Sequence, residues 1–268
     1  MLYIVATPIG NLEDMSLRAI RILGEVGLIA AEDTRKTRIL LKHYQIKTKL
    51  TSYYEHSKQA KTTQLIDRLA SGQDIALVSE AGMPGISDPG YELIAAAIEN
   101  DIEVVPIPGP SAITTALVAS GLPPSQFTYL GFLPRKKSDR KKLLESVAHI
   151  THTLIAYESP HRIKASLSDI ELVLGNRHIA VCRELTKLHE EVFRGNVSDA
   201  IEHFENPRGE FTLVIEGATD EKQVDTGLIE TELRQLKKDG IKAKAATAQI
   251  SKKYGLTRNE VYNIWLSL

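Results

Sequence analysis

Short apolar runs take turns with amphipathic stretches through the first 107 residues of this 268-residue chain, and that alternation leaves few folds open. LYIVA (2–6), LIAAE (28–32), KLTSYY (49–54), DIALVS (74–79) and IEVVPI (102–107) have the length and β-branched content of strands. Between them, the stretches near 15–26, 58–71 and 91–100, and another after residue 32, carry apolar residues at helical spacing. Strand, helix, strand in succession requires crossovers, so the pattern predicts five mostly parallel strands with helices packed on the sheet. After PGPSA (108–112) a helix of small residues runs to Gly121, where the adjacent prolines of LPPSQ favour an extended linker. A first α/β domain is expected over 1–121.

Residues 127–217 mix the same ingredients: FTYLGFL, a helix near 139–149, TLIAYES, a helix near 161–174, HIAVCREL, EEVFRG, a short helix and EFTLVIEG. The last strands lie close together in sequence, which predicts a mixed or partly antiparallel sheet in a second domain, 122–218. ATDEKQVD reads as a linker. The remaining residues read as three short helices turning at Gly240 and Gly255, a small helical module over 219–268. A hydrophobic content of 43% suffices for such cores.

Ligands of open parallel sheets bind beyond the carboxyl ends of the strands. Five loops are expected on that rim: TPIGN (7–11), EDTR (32–35), YEH (54–56), VSEAGMPGISDPG (78–90) and PGPSA (108–112). In the longest, Gly82, Gly85 and Gly90 allow positive φ and close backbone approach, while Pro84 and Pro89 stiffen the chain. Such residues also dominate ordinary turns, but polar or Gly-Pro loops after every strand on one edge point to a ligand site. No G-x-G-x-x-G follows the first strand and no G-x-x-x-x-G-K-[ST] occurs, so the usual dinucleotide and phosphate cradles are missing. The Ser-Glu and Ser-Asp steps suit hydroxyls, amines or a cation.

Composition narrows the class further. The N-terminus lacks the basic and apolar regions of a signal peptide, and no apolar run approaches a membrane span, so a soluble cytoplasmic protein without membrane partners is expected. Cys182 is the only cysteine, which rules out an internal disulfide and thiolate-rich metal sites within one chain; no metal is expected. The formal net charge of -1 hides two basic patches. RKKSDRKK (135–142) has six Lys or Arg among eight residues. With Ser138 as N-cap, Arg140, Lys141 and Lys142 would stand in a first turn that disfavours cations, which points to nucleic-acid phosphate rather than a merely solvated face. From Arg234 to Arg258, eight Lys or Arg face the single acid Asp239. There ATAQISKKYGLTRNEVYNIW has helix-turn-helix spacing, with a Gly255 turn, Thr257 as N-cap, and Val261, Ile264 and Trp265 facing inward. Arg135, Lys136, Lys137, Arg140, Lys141, Lys142, Lys252, Lys253 and Arg258 are the candidate RNA contacts.

TPIGNLEDMSLRAIRIL, AEDTRKTR, VSEAGMPGISDPG, PGPSA, YESPHR, CRELTKLHEE and RGEFTLVIEG, in this order and spacing, resemble the tetrapyrrole methylase superfamily, and within it the bacterial enzymes that methylate small-subunit ribosomal RNA. The resemblance covers essentially residues 1–217. It implies a tetrapyrrole-methylase-like α/β fold, S-adenosyl-L-methionine as cofactor, and the ribose 2′-hydroxyl of a cytidine in the decoding region of 16S RNA as acceptor. It also implies a homodimer acting on the RNA or on the assembled small ribosomal subunit. One departure stands out: the family's loop usually begins Ser-Asp-Ala-Gly, and here it is Ser79-Glu80-Ala81-Gly82, one methylene longer at the acid.

By the superfamily's pattern the cofactor lies between the two domains. Its implied neighbours are Pro8, Ser79, Glu80, Ala81, Gly82, Ser111 and Ala112 from the first, and Tyr157, Leu185, Gly209, Glu210, Phe211 and Thr212 from the second. Pro8, Ala112 and Leu185 are equally explained by packing. Methyl transfer to a hydroxyl needs alignment and a proton acceptor. Glu158 and His161 are the leading candidates, with Glu32, Asp33, Arg35, His56 and Arg162 behind them; an ion network bridging the domains is the competing account of these acids and arginines. Two rival functions share the motifs: a tetrapyrrole methyltransferase of precorrin type, disfavoured by the basic patches, and a non-catalytic ligand-responsive nucleic-acid-binding regulator.

Overall fold

The computed structural model describes residues 1–54, 58–205, 207–219, 226–254, 256 and 258–268. It divides into two units, Met1–Ala218 and Thr219–Leu268.

The first unit contains two five-stranded sheets. In the first, β1 (Leu2–Val5), β2 (Leu28–Ala31), β3 (Leu50–Ser52), β4 (Ile75–Val78) and β5 (Val104–Ile107) lie in the order β3-β2-β4-β1-β5. All pairings are parallel, so the expectation of a mostly parallel sheet is met and sharpened. Every residue of β2 and β4 is buried, as required of parallel strands covered on both faces. On one face Ile22 and Leu23 of α1 (Leu17–Glu25) and Leu40 and Leu41 of α2 (Thr34–His43) share a core with Val5 and Ile29. On the other, Leu65 of α3 (Lys58–Ala70) and Leu93 of α4 (Tyr91–Glu99) pack with Leu2 and Ile75. The helices start where the sequence can cap them: the Ser16 side chain accepts from the Ala19 amide at 3.1 Å and that of Asp33 from the Arg35 amide at 2.8 Å.

In the second sheet, β6 (Phe127–Phe132), β7 (Thr153–Glu158), β8 (His178–Arg183), β9 (Glu191–Asn196) and β10 (Phe211–Ile215) follow the order β6-β7-β10-β8-β9. Only β6 and β7 pair in parallel; the rest is antiparallel, so the sheet is mixed as expected. Helices α6 (Lys137–Val147), α7 (Ile163–Leu174) and α8 (Val197–His203) supply Leu144, Leu167 and Ala200 to the core of one face. The other face is covered by α5 (Ala112–Ser120), whose Ile113, Ala116 and Leu117 pack on Ile155, Ala180 and Val214. The helix that ends the first domain by sequence thus buries its apolar residues on the second sheet. Gly121, in the left-handed region at φ +77°, closes it.

The second unit has three helices, α9 (Thr226–Lys238), α10 (Ala243–Tyr254) and α11 (Arg258–Ser267), around Ile229, Leu233, Ala246, Ile250 and Val261. Ile264 and Trp265 pack against that core, as the inward-face reading has it. Gly240, at φ +75°, makes the first turn; the expected Gly255 turn and Thr257 cap lie outside the described residues. Among the described residues no helix is long and apolar enough to cross a membrane.

Candidate functional site

Strand order decides which rim loops meet. Because β4 and β5 flank β1, the loops after β4, β1 and β5 are neighbours, and β2 brings EDTR in beside β4. The loop after β3 starts at the far edge; its His56 lies outside the described residues. Thr7 and Gly82 exchange two backbone hydrogen bonds of 2.9 Å, pinning TPIGN to the long loop. Gly82 makes this turn at φ +79°. Gly90 is needed for a different reason: a Cβ there would meet the Gly85 amide at 3.0 Å and Leu77 at 3.1 Å.

A cavity of about 400 Å³ opens beside these loops. The first sheet contributes Glu80, Ala81, Gly82, Asp88, Ser111 and Ala112 to its wall; the second contributes Tyr157, Leu185, Glu210, Phe211 and Thr212. All of these but Asp88 are among the residues the resemblance assigns to the cofactor. Pro8, Ser79 and Gly209 are not on the wall. Buried Ser79 approaches the Gly82 carbonyl at 3.2 Å and braces the loop. Gly209 sits at φ +86° where a Cβ would lie 2.4 Å from the Glu184 side chain. That closeness lets the Glu184 carboxylate accept from the Glu210 amide at 2.8 Å and pair with Lys187 at 2.8 Å. Across the cavity, Gly131 at φ +71° marks an irregularity in β6 that leaves Tyr129 and Phe132 edge-on to Tyr157, at centroid distances of 5.2 and 5.3 Å. A 2.7 Å hydrogen bond between the hydroxyls of Ser87 and Tyr129 joins the long loop to that aromatic group.

The candidate carboxylates differ in their surroundings. Glu158 lines the cavity but is 1% exposed, and both its oxygens are engaged. It accepts from the Ser159 amide at 2.6 Å, takes the Ser166 hydroxyl, and pairs with Arg162 at 2.6 Å. Arg162 also donates to the Leu133 carbonyl at 2.9 Å. The pair therefore stitches the β7–α7 turn to the end of β6, an ion pair within the second domain and not a bridge between the domains. His161 is exposed and outside the cavity wall. Asp33 caps α2 and pairs with Arg35, which holds its carboxyl down at about 2; the Arg35 side chain is 87% exposed.

Asp88, singled out by no sequence argument beyond the Ser-Asp step, forms instead an acidic cluster with Glu32 and Glu80. Burial first, then the charges of Glu32 and Glu80, push its carboxyl up to about 7 against a hydrogen bond from Ser79. Glu32 is also raised, by burial and then by Glu80, and its Oε2 is buried without a hydrogen-bond partner. The Glu80 carboxylate reaches α2 and pairs with Lys36.

The first basic patch is only partly a surface. Arg140 is 4% exposed, and its guanidinium donates to Asp169 at 2.9 Å and to the Pro134 carbonyl at 3.2 Å. It is a buried structural ion pair, which corrects its assignment to RNA. The helix begins after Lys136, and the Ser138 hydroxyl donates to Asp139 at 3.1 Å instead of capping. Arg135, Lys136, Lys137 and Lys142 are exposed and Lys141 half-buried. In the C-terminal unit Lys253 pairs with Glu232 at 2.6 Å and Arg258 is exposed; the Lys252 side chain lies outside the described residues.

The family model of tetrapyrrole (corrin/porphyrin) methylases matches residues 1–201. The chain belongs to that family. Curated relatives named "ribosomal RNA small subunit methyltransferase I" match it nearly end to end. The one from Halalkalibacterium halodurans is 48% identical over 98% of this chain and 94% of its own. That from Synechocystis is 48% identical over 100% and 98%. This tetrapyrrole methylase therefore sits with the ribosomal RNA methyltransferases of the family. Solved structures support the fold: a diphthine synthase superposes with a TM-score of 0.66 at 12% identity, covering 81% of this chain and 90% of its own. A uroporphyrin-III-C-methyltransferase from Thermus thermophilus gives 0.56 at 20%, covering 80% and 93%.

Proposed function

We propose that this methylase transfers a methyl group from S-adenosyl-L-methionine to the ribose 2′-hydroxyl of a cytidine in the decoding region of small-subunit ribosomal RNA. The relatives' printed name supports the RNA substrate; the observation that carries the chemistry is Asp88, a carboxyl with a pKa of about 7 on the cavity wall. The residues present fit the donor. An acidic cluster with an unpartnered buried Glu32 oxygen suits a ligand bearing an ammonium and a sulfonium. The N-terminus of α5, where Ser111 and Ala112 reach the wall without a side-chain cap, suits a carboxylate. Bound there, the donor supplies an electrophilic methyl on sulfur.

The chain's own contribution is alignment and proton removal. The rigid turn at Gly82 and the aromatic face of Tyr157 restrict poses, and exclusion of water favours the developing charge pattern. As the ribose oxygen attacks, its proton passes to the Asp88 carboxylate, a group whose raised pKa matches operation near neutral pH. The protein works as a homodimer in the cytoplasm, on the RNA or on the assembled subunit.

Small subunits, naked 16S RNA and a tetrapyrrole are incubated with the protein and labelled donor, and the modified ribose is mapped by resistance to alkaline cleavage. Label on a cytidine ribose is expected, with Asp88→Asn about 10²–10⁴-fold slower at unchanged donor affinity. Label on the tetrapyrrole alone, or none with intact donor binding, sinks the reading. Sedimentation measures the dimer.

A further inference from the structure

A second groove, of about 570 Å³, lies on the first unit between α2 and β3. Leu41, Ile46 and Leu50 give it apolar lining, and Arg38, Lys42 and Lys47 surround it with positive charge. All three cations are exposed, and none has an ion-pair partner among the described residues. The dipole of α2 favours Lys42 in its last turn, but Arg38 and Lys42, one turn apart, repel each other.

The groove is also built rather than incidental. The end of α2 is closed by hydrogen bonds from the Gln45 amide to the Lys42 carbonyl, 3.2 Å, and from the Ile46 amide to the Leu41 carbonyl, 2.8 Å. That closure puts Gln45 at φ +56°, a conformation usually left to glycine or asparagine. Next to it, the Thr48 hydroxyl donates to the Leu23 carbonyl at 2.6 Å and ties the segment to α1.

Position supplies the function. The same helix carries Lys36, which pairs with Glu80 on the cavity wall, so α2 runs from the reaction site to the groove. Lys36 to Lys42 is about 9 Å along the axis at 1.5 Å per residue. With one phosphate per about 3.4 Å of strand axis, that length covers roughly three phosphates.

We infer that the α2–β3 groove holds the phosphodiester backbone of the substrate RNA strand, a few nucleotides from the ribose in the cavity. The inference rests on the RNA-methylation reading and adds a contact that neither basic patch supplies. Apolar lining beneath cations suits a strand that presents sugar or base face along with phosphate.

The test uses the full chain carrying Arg38→Glu, Lys42→Glu and Lys47→Glu, with Arg38→Gln/Lys42→Gln/Lys47→Gln as a second variant should charge reversal impair folding. Affinity for 16S RNA and for assembled small subunits is measured against salt, beside donor affinity by calorimetry. Expected are a loss of RNA affinity of about tenfold to a hundredfold near physiological salt and a salt slope shallower by about 2 to 3, with donor affinity unchanged. An unchanged RNA affinity and slope in a folded variant overturns the inference. So does a loss confined to assembled subunits, which would make the partner a ribosomal protein. If the unsubstituted chain neither binds nor methylates RNA, the functional reading fails and the groove's role with it; if it does both and the variants match it, only the groove's role fails.

Discussion

Asp88 shows how far a single residue's environment can depart from its sequence context. An aspartate between a serine and a proline reads as loop chemistry; here burial and two neighbouring acids bring its carboxyl to about 7. The folded protein then keeps a proton that the unfolded chain releases from about pH 4 upward, so this group stabilises the fold less and less as pH rises from about 4 to 7. Replacement by asparagine removes the ionisation. Urea unfolding of Asp88→Asn at pH 8 is expected to show a gain of about 2 kcal/mol relative to the unsubstituted chain, shrinking toward pH 5, with part of the slope surviving through Glu32, which is raised in the same sense. A gain equal at both pH values contradicts the account.

At the scale of elements, α6 separates charge that holds the fold from charge that faces solvent. Its sequence offers six cations in eight residues, and no local rule tells Arg140 from its neighbours. Packing against α7 does, because α7 presents Asp169, 3% exposed, within hydrogen-bond reach of Arg140. Removing one partner of a buried ion pair strands the other. Arg140→Met is therefore expected to cost about 3–5 kcal/mol in chemical denaturation, and Lys142→Glu on the exposed face within about 0.5 kcal/mol. Comparable losses for both would show that the pair is not the anchor. Most elements were legible beforehand because each announces itself locally: β2 and β4 by continuous apolar runs, α1 by its apolar spacing, α5 by Gly121. Boundaries moved by a residue or two where caps decide them, as at Lys136 in place of Ser138. What α5 packs against was not legible, since a helix of small residues suits either sheet.

For the whole molecule, residues 1–218 and 219–268 form two units, and the cavity belongs to the first. Every residue of the cavity wall belongs to the first unit. A chain of residues 1–218 is expected to bind the methyl donor as the full chain does, while its RNA affinity falls and its salt slope flattens through loss of the cations between Arg234 and Arg258. Calorimetry with the donor and salt-titrated RNA binding check the two halves separately, and a truncated chain that folds but loses the donor would place part of the site in the second unit. The alternation of elements and the two kinds of sheet follow from the sequence alone, because turn chemistry and apolar periodicity are local properties carried by neighbouring residues, while most of the cavity wall is named by the family resemblance. The pairing of Glu158 with Arg162, the clustering of Asp88 with Glu32 and Glu80, the burial of Arg140 and the groove beside α2 were decided only by tertiary structure. For the charged groups the outcome depends on which of them share a buried space, and residues far apart in the chain, such as Glu32 and Asp88 or Arg140 and Asp169, are brought into that space by the fold and by nothing in the sequence around them.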